Sequence, residues 1–139
     1  MVSFYWSAKD KNLKYAVIVS KHKGKWVFCK RKNRNTYECP GGHREDNESI
    51  DCAARRELWE ETGALDYKMI PVCAYSVSDG KDEMFGMLYY AEIHRFGNMP
   101  ISEIERVVVS SELPKRWTYP DIQPYLVKKT EEIMMTNSI

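Results

Sequence analysis

The sequence lacks the features of membrane-embedded, disulfide-stabilised and zinc-binding proteins. No apolar run in its 139 residues approaches the roughly 18 residues that a membrane span needs, and the N-terminus has no secretory signal. The four cysteines form no C-x-x-C pair, and no histidine stands at zinc-finger spacing from them. We therefore expect one cytoplasmic domain over residues 1–139, with reduced and mostly buried cysteines.

Net charge is almost absent at +1, but the charged residues are unevenly distributed. Residues 11–37 contain nine lysines or arginines and no acid, whereas residues 45–61 contain seven acids. A basic segment usually protects strand edges from pairing with other chains. The alternative is that it attracts an anionic substrate, while the acidic segment would be stabilised by a cation. With so small a net charge we expect no general attraction to a membrane surface.

The order of hydrophobic segments indicates an α/β protein. Strands are predicted at 15–20, 25–30, 36–39, 68–77, 84–94 and 106–110. The first two should form a hairpin around Gly24, and Gly86 could mark a bulge. A helix is predicted at 49–62, with Ser49 or Asn47 as N-cap and Gly63 as its stop. A closing helix lies within 119–135, so we expect a mixed sheet covered by helices.

Acidic residues lie on an unexpected face of the first predicted helix. At about 100° per residue, Glu57 and Glu61 lie on or beside the apolar stripe formed by Ile50, Ala54 and Leu58. Buried like charges destabilise each other unless a cation compensates them. One interpretation is a solvated face with ion pairs such as Arg56–Glu60; the other is a site for Mg²⁺ or Mn²⁺, which prefer oxygen ligands.

Residues 42–64 resemble the signature of the Nudix hydrolases, G-x5-E-x7-R-E-U-x-E-E-x-G-U with U apolar. Every fixed position is filled, by Gly42, Glu48, Arg56, Glu57, Leu58, Glu60, Glu61, Gly63 and Ala64. The preceding YECPGG is similar to the entry strand and loop of the same family. A motif with this many specified positions is far more specific than a short glycine motif. We call residues 42–64 the Nudix box.

This resemblance implies an α/β/α sandwich and the Mg²⁺- or Mn²⁺-dependent hydrolysis of a nucleoside diphosphate linked to another group. It implies metal ligation by Glu57, Glu60, Glu61 and the backbone carbonyl of Gly41. It also implies that Arg56 holds these glutamates by ion pairs that include Glu48, and that Glu48 reaches a metal through water.

The general base is not defined by the box, because related enzymes take it either from the box or from a later loop. We favour Glu103, which precedes the strand at 106–110 by the distance found in members that act on nucleoside triphosphates. Other acids in later loops are Glu105, Asp82 and Glu83. For each of these the ordinary alternative is a solvated surface carboxylate.

Two further segments, 24–42 and 110–124, are similar to the compact bacterial branch that hydrolyses nucleoside triphosphates, including oxidised guanine forms. By that resemblance Lys30 and Arg31 would hold a triphosphate. Asp121 and Gln123 would read a purine edge, and Tyr37 or Trp117 would stack on the base. The alternative for these aromatic residues is packing in the core.

Three other functions remain open. The first is pyrophosphate removal from RNA 5′ ends, for which the basic segment would bind the RNA backbone. The second is cleavage of ADP-ribose or a dinucleoside polyphosphate. The third is a non-catalytic binding module, which would normally have lost box carboxylates. We expect a monomer or a homodimer.

Overall fold

The computed structural model describes the backbone of residues 1–137 and the side chains of residues 1–134. Residues 138 and 139 of the predicted domain lie outside the described residues, and the boundary 1–139 stays a prediction. The elements in chain order are β1 Val2–Tyr5, β2 Leu13–His22, β3 Lys25–Arg31, β4 Gly41–His43, α1 Ile50–Thr62, β5 Ala64–Ser78, β6 Glu83–Phe96, β7 Ile104–Ser110 and α2 Gln123–Asn137.

The strands form one mixed sheet in the order β1-β5-β6-β2-β3-β7. Strand β2 runs parallel to β6, and the other pairings are antiparallel. The second edge of β2 is divided between two partners: Tyr15 to Val17 pair with β4, and Ser20 to His22 pair with β3. Strands β3 and β4 therefore pair with different parts of β2, and a cleft opens between β3 and β4.

Helices cover both faces of this sheet, as the α/β/α sandwich requires. Alternate residues of β2 face opposite sides, and both sides are apolar and buried. Ala16 and Ile18 belong to the core cluster that contains Leu58 of α1. Val17 and Val19 belong to the cluster that contains Leu126 of α2. Among the described residues, no helix is long and apolar enough to cross a membrane.

The ends of α1 are those predicted from the sequence. The Ser49 hydroxyl accepts a hydrogen bond from the Cys52 N–H at 3.1 Å, so Ser49 rather than Asn47 is the N-cap. At the other end Gly63 adopts φ of 76°, and its N–H donates to the Trp59 carbonyl at 2.8 Å. Both contacts satisfy backbone groups that a helix terminus leaves unpaired.

Three elements differ from the prediction. The predicted strand 36–39 makes only isolated bridges, between Glu38 and Cys29 and between Tyr37 and Trp117. Strands β1 and β4 were not predicted. The bulge expected at Gly86 of β6 lies instead in its partner strand β2. There Lys14 is the extra residue, because Leu13 pairs with Phe85 and Tyr15 pairs with Gly86.

The αL conformation of Gly63 and that of Gly24 allow a matched test. Gly24 has φ of 79° and open space around its Cα, whereas a Cβ on Gly63 would lie 3.1 Å from the Gly97 carbonyl oxygen. We expect Gly24→Ala to cost about 1 kcal/mol of unfolding free energy from backbone strain alone. Gly63→Ala should cost roughly 2 kcal/mol or more, because strain and crowding add. Urea denaturation measures both, and equal losses would show that the contact with Gly97 is unimportant.

Candidate active site

The paired glycines form β4 and bring the backbone against α1. A Cβ on Gly41 would lie 2.3 Å from the Ala16 carbonyl oxygen, and one on Gly42 would lie 2.6 Å from the Glu57 carboxylate. Neither position therefore has room for a side chain. The Gly41 N–H donates to Glu61 Oε1 at 2.9 Å. Two box glutamates consequently meet the backbone of β4 directly.

The three carboxylates proposed as metal ligands differ in burial. The Glu61 residue is 5% exposed, the Glu57 side chain is 12% exposed and the Glu60 side chain is 39% exposed. Burial raises the pKa of Glu57, against the opposing effect of Arg56. Burial also raises the pKa of Glu61 to about 8, although the Gly41 N–H and Arg31 oppose the shift. The inner part of the site is thus short of positive charge.

Arg56 connects the acidic residues around α1. Its Nε donates to Glu48 Oε2 at 2.7 Å and its Nη2 to Glu48 Oε1 at 3.0 Å. Its Nη1 lies 2.9 Å from Glu57 Oε1 and 3.4 Å from Glu60 Oε2. The hydrogen bond from Arg56 is the main cause that lowers the pKa of Glu48 to about 2. These ion pairs are those that the resemblance implied for Arg56.

A second arginine joins the box to a buried acid from the preceding segment. Arg31 Nε donates to Glu38 Oε2 at 3.2 Å, and Arg31 Nη2 donates to Glu61 Oε2 at 3.1 Å. The predicted triphosphate-binding arginine thus pairs with two acids in this structure. One guanidinium separates the carboxylate of Glu38 from that of Glu61.

A cavity of about 380 Å³ lies beside this arginine. It is within the size range of small-molecule sites, which begins near 300 Å³. Its walls come from β2, β3, β4 and the ends of β5 and β6, with the segment 119–123 on the remaining side. The lining residues are Tyr15, Ala16, Val17, Arg31, Glu38, Cys39, Gly41, Gly42, His43, Tyr75, Val77, Met84, Tyr119, Ile122 and Gln123.

Of the predicted substrate residues, the structure places Arg31 and Gln123 in this cavity. The Oε1 of Gln123 accepts a hydrogen bond from the Cys39 N–H at 2.7 Å. Its carbonyl is thereby fixed towards the backbone, and its amide nitrogen is left as a possible donor to a ligand. His43 also lines the cavity, with its ring 4.2 Å from that of Tyr15.

The other predicted substrate residues lie outside the cavity lining, and their role in substrate binding stays a prediction. Lys30 pairs with Glu105, and the Tyr37 hydroxyl accepts from Arg106 Nη2 at 2.7 Å. Neighbouring residues of extended backbone point to opposite sides, so Arg31 and Glu38 face the cavity while Lys30 and Tyr37 do not.

Two further candidates are also outside the lining. Asp121 is exposed in the turn before α2, and the Trp117 ring packs edge-on against Phe28 at 5.3 Å.

Glu103 is exposed near the end of β3 that carries Arg31. Its backbone carbonyl accepts from the Lys32 N–H at 2.8 Å, and the next residue, Ile104, pairs with Arg31. Its role as general base stays a prediction. Of the alternatives, Glu83 accepts hydrogen bonds from Ser76 at 2.8 Å and Tyr5 at 3.2 Å, and Glu105 pairs with Lys30.

Sequence reasoning missed Glu38 and the aromatic lining residues Tyr15 and Tyr119. Glu38 is one residue from Tyr37, and the extended pattern before Pro40 allowed only one of the two to face the cleft. The sign of charge was a usable signal, because Glu38 is the first acid after the basic segment and a buried acid needs a partner.

Comparison with known proteins gives relatives of the same architecture. The chain is 30% identical over 103 residues to a Bacillus subtilis protein with the provisional name 8-oxo-dGTP diphosphatase YtkD, which covers 73% of this chain and 65% of that protein. It superposes on a Bacillus subtilis pyrophosphohydrolase with a TM-score of 0.79 at 24% identity, over 94% of this chain and 90% of that one. A Caenorhabditis elegans Ap4A hydrolase gives 0.68 at 16% identity, over 88% and 99%.

The two structural similarities, at less than 25% identity, concern the fold. The sequence family is shown by a match of residues 11–126 to the NUDIX domain. This range contains the whole box, β2 to β7 and the start of α2. The predicted α/β/α architecture is confirmed with it. The chain belongs to the NUDIX domain family.

Proposed function

We propose that this protein hydrolyses the pyrophosphate link of purine nucleoside triphosphates, releasing a monophosphate and pyrophosphate. The observation that carries the proposal is a buried acidic cluster, Glu57 and Glu61, that contacts the backbone of Gly41 and Gly42, and these two glycines also line a nucleoside-sized cavity. The name of the Bacillus subtilis relative supports a purine triphosphate, oxidised guanine included. The chain spans 65% of that relative's length.

The donor atoms of the site fit a hard divalent cation, Mg²⁺ or Mn²⁺. Among the described side chains, no three His, Cys, Asp or Glu groups converge as a ready-made metal site. Arg31 instead donates to one oxygen of Glu61, and Arg56 to one of Glu57. All the atoms available to bind a metal are nevertheless oxygens, which these cations prefer, and the absence of a side chain at Gly42 lets the Glu57 carboxylate lie against the β4 backbone. We propose Glu57, Glu60, Glu61 and the Gly41 carbonyl as ligands, with Glu48 reaching through water.

A bound divalent cation would neutralise phosphate charge and lower the pKa of a water molecule. The protein's own contribution is orientation. Arg56 fixes Glu57 and Glu60 from one side, and Arg31 presents a positive charge at the boundary between the acids and the cavity. The apolar and aromatic lining holds the nucleoside. Glu103, exposed at the end of β3, is the proposed acceptor of the proton that the attacking water loses.

The structure makes a long basic track for RNA less favourable. Exposed Lys32 and Arg34 follow Arg31 at one end of β3. Lys23 and Lys25 are at the opposite end of β3, about 20 Å away along an extended strand. The basic segment is therefore divided, and the cavity end offers enough positive charge for a triphosphate. RNA 5′ ends, ADP-ribose and dinucleoside polyphosphates remain alternative substrates. The four free cysteines agree with the cytoplasmic location that we propose.

The first prediction concerns the reaction and Glu60. With Mg²⁺, wild-type protein should convert dGTP, GTP or 8-oxo-dGTP to monophosphate and pyrophosphate. Glu60→Gln should lower kcat about 100- to 1,000-fold, since it removes one proposed ligand of the ion that stabilises the transition state. Product analysis by ion-exchange chromatography measures both. Glu112→Gln, in an exposed loop, is the control and should retain activity. Cleavage of ADP-ribose or Ap4A without cleavage of any triphosphate would contradict the proposal.

A second prediction separates free nucleotide from RNA. Because the basic residues are divided between two ends of β3, kcat/KM for a free triphosphate should exceed that for a 5′-triphosphorylated RNA of the same first base. The salt dependence for both should be shallow, as expected when few phosphates are bound. Initial rates between about 50 and 200 mM KCl test this. A steep fall for RNA together with faster RNA turnover would favour the RNA 5′-end function.

A third prediction follows from the buried Glu61 in metal-free protein. Its folded pKa of about 8 lies above the ordinary value of 4.5, so the folded state binds the proton more tightly. Unfolding free energy should therefore fall as pH rises from about 4.5 to about 8. The loss should be on the order of a few kcal/mol.

Urea denaturation in EDTA measures this fall, and Glu61→Gln should remove most of it while Glu112→Gln should not. Mn²⁺ added at about 100 times its Kd should add ~2.7 kcal/mol to wild type at pH 8. A wild-type pH profile parallel to that of Glu61→Gln would refute the prediction.

A further inference from the structure

Strand β7 forms one edge of the sheet, and two of its valines direct their backbone groups away from the sheet. The Cys29 N–H donates to the Glu38 carbonyl at 2.8 Å, and the Glu38 N–H donates to the Cys29 carbonyl at 3.0 Å. The backbone of Cys29 therefore faces away from β7. Its partner Val107 must also direct its N–H and carbonyl outward, because directly opposed residues of an antiparallel pair either face each other or both face away. By alternation Val109 has the same orientation.

The outer side of β7 has little protection against pairing with another strand. Among the described residues, no backbone hydrogen bond reaches Val107 or Val109 from beyond the edge. Sheet edges are usually protected by charged side chains, proline or a bulge. Here a bulge places Glu105 as the extra residue next to the Lys30–Arg106 pair, but it protects only the start of the strand. Residues 107–110 are three valines and a serine, so the second half of β7 is regular and uncharged.

We propose that β7 pairs with β7 of a second copy of this chain, antiparallel and across a two-fold axis at Val108. Val107 then lies opposite Val109 of the second copy, and each of these two opposed pairs can exchange both of its N–H···O bonds. Arg106 lies opposite Ser110, so no like charges meet. An axis at Val107 would instead place Val109 against the charged bulge. The pairing extends one sheet through both copies.

A second copy fits this edge for two further reasons. The net charge of +1 causes almost no repulsion between copies, and a two-fold contact brings the same surface of both chains together. The exposed side chains Ile101 and Leu113 flank β7, and the two-fold axis brings Leu113 of one copy to the end of the strand that carries Ile101 in the other. Exposed Val109 is covered as well. Because this contact area is small, we expect a Kd on the order of 10 μM.

Pairing through β7 leaves the cavity open. Strand β3 lies between β7 and the cavity, and Arg31 of β3 lines the cavity whereas no residue of β7 does. Association can therefore be tested without any nucleotide, and its outcome does not depend on the proposed function.

The first test is sedimentation equilibrium between about 1 and 500 μM, where wild type should show a monomer–dimer equilibrium. Val109→Pro removes an N–H that β3 does not use, and proline is accepted at a sheet edge when its missing N–H would face solvent. It should raise the dimer Kd about 10-fold or more. Val2→Pro on the opposite edge is the matched control. Met1 and Ser78 bond to each other at 2.8 and 2.9 Å, so Val2 also faces outward, and this variant should keep the wild-type Kd.

The second test places a cysteine on the proposed axis, in a Cys52→Ser background that removes the exposed thiol. The two copies of residue 108 would form a non-hydrogen-bonded pair with Cα atoms about 4.5 Å apart, a separation that a disulfide spans. Val108→Cys should therefore give mostly covalent dimer with oxidised glutathione, seen on a non-reducing gel. Ser110→Cys is the control: its two copies would be about 13 Å apart along the strands, so it should stay monomeric on the gel.

Three outcomes overturn the proposal. One is a wild-type protein that stays monomeric over the whole concentration range, a result that needs no variant. Another is a dimer that survives Val109→Pro unchanged or is lost in Val2→Pro, because it then uses a different surface. The third is equal cross-linking of Val108→Cys and Ser110→Cys, which excludes the axis at Val108. If circular dichroism shows that Val109→Pro does not fold, the cross-linking result decides.

Discussion

The site depends on one electrostatic constraint: the Glu61 carboxylate is buried against the backbone of Gly41, and it is stable there only if positive charge is nearby. The Gly41 N–H supplies one hydrogen bond and Arg31 supplies an ion pair. Neither interaction restores the ordinary pKa of Glu61, because desolvation of the charged carboxylate is the largest cause of the shift. A divalent cation would supply the missing charge. Arg31 would then share the Glu61 carboxylate with that cation.

The sheet creates this constraint through the divided edge of β2. Because β4 pairs with Tyr15 to Val17 while β3 pairs with Ser20 to His22, a cleft opens between β3 and β4. Glycines in β4 let α1 approach, so the box acids reach the cleft from one face of the sheet. The segment 119–123 closes the cleft from the other face. The fold therefore places the box acids and the cavity on opposite sides of the three-residue strand β4.

Local features of the fold were predictable, and features set by register were not. Ser49 and Gly63 were identified because capping depends on a few neighbouring residues. The box was identified because every fixed position of residues 42–64 matches the signature of the family that it resembles. Strand β4 was missed because three residues, two of them glycine, carry no strand signal, and β1 because it is defined only by its pairing with β5. Glu38 was not singled out for a related reason: one residue of register reverses which side chain faces the cleft.

Glu38 and Glu61 share one guanidinium, which couples the ion pairs of these two buried acids. Arg31 cannot strengthen its contact with one acid without affecting its contact with the other, since both bonds come from a single planar group. If a divalent cation neutralised Glu61, Arg31 would keep Glu38 as its acid and could turn its remaining donors towards a bound phosphate.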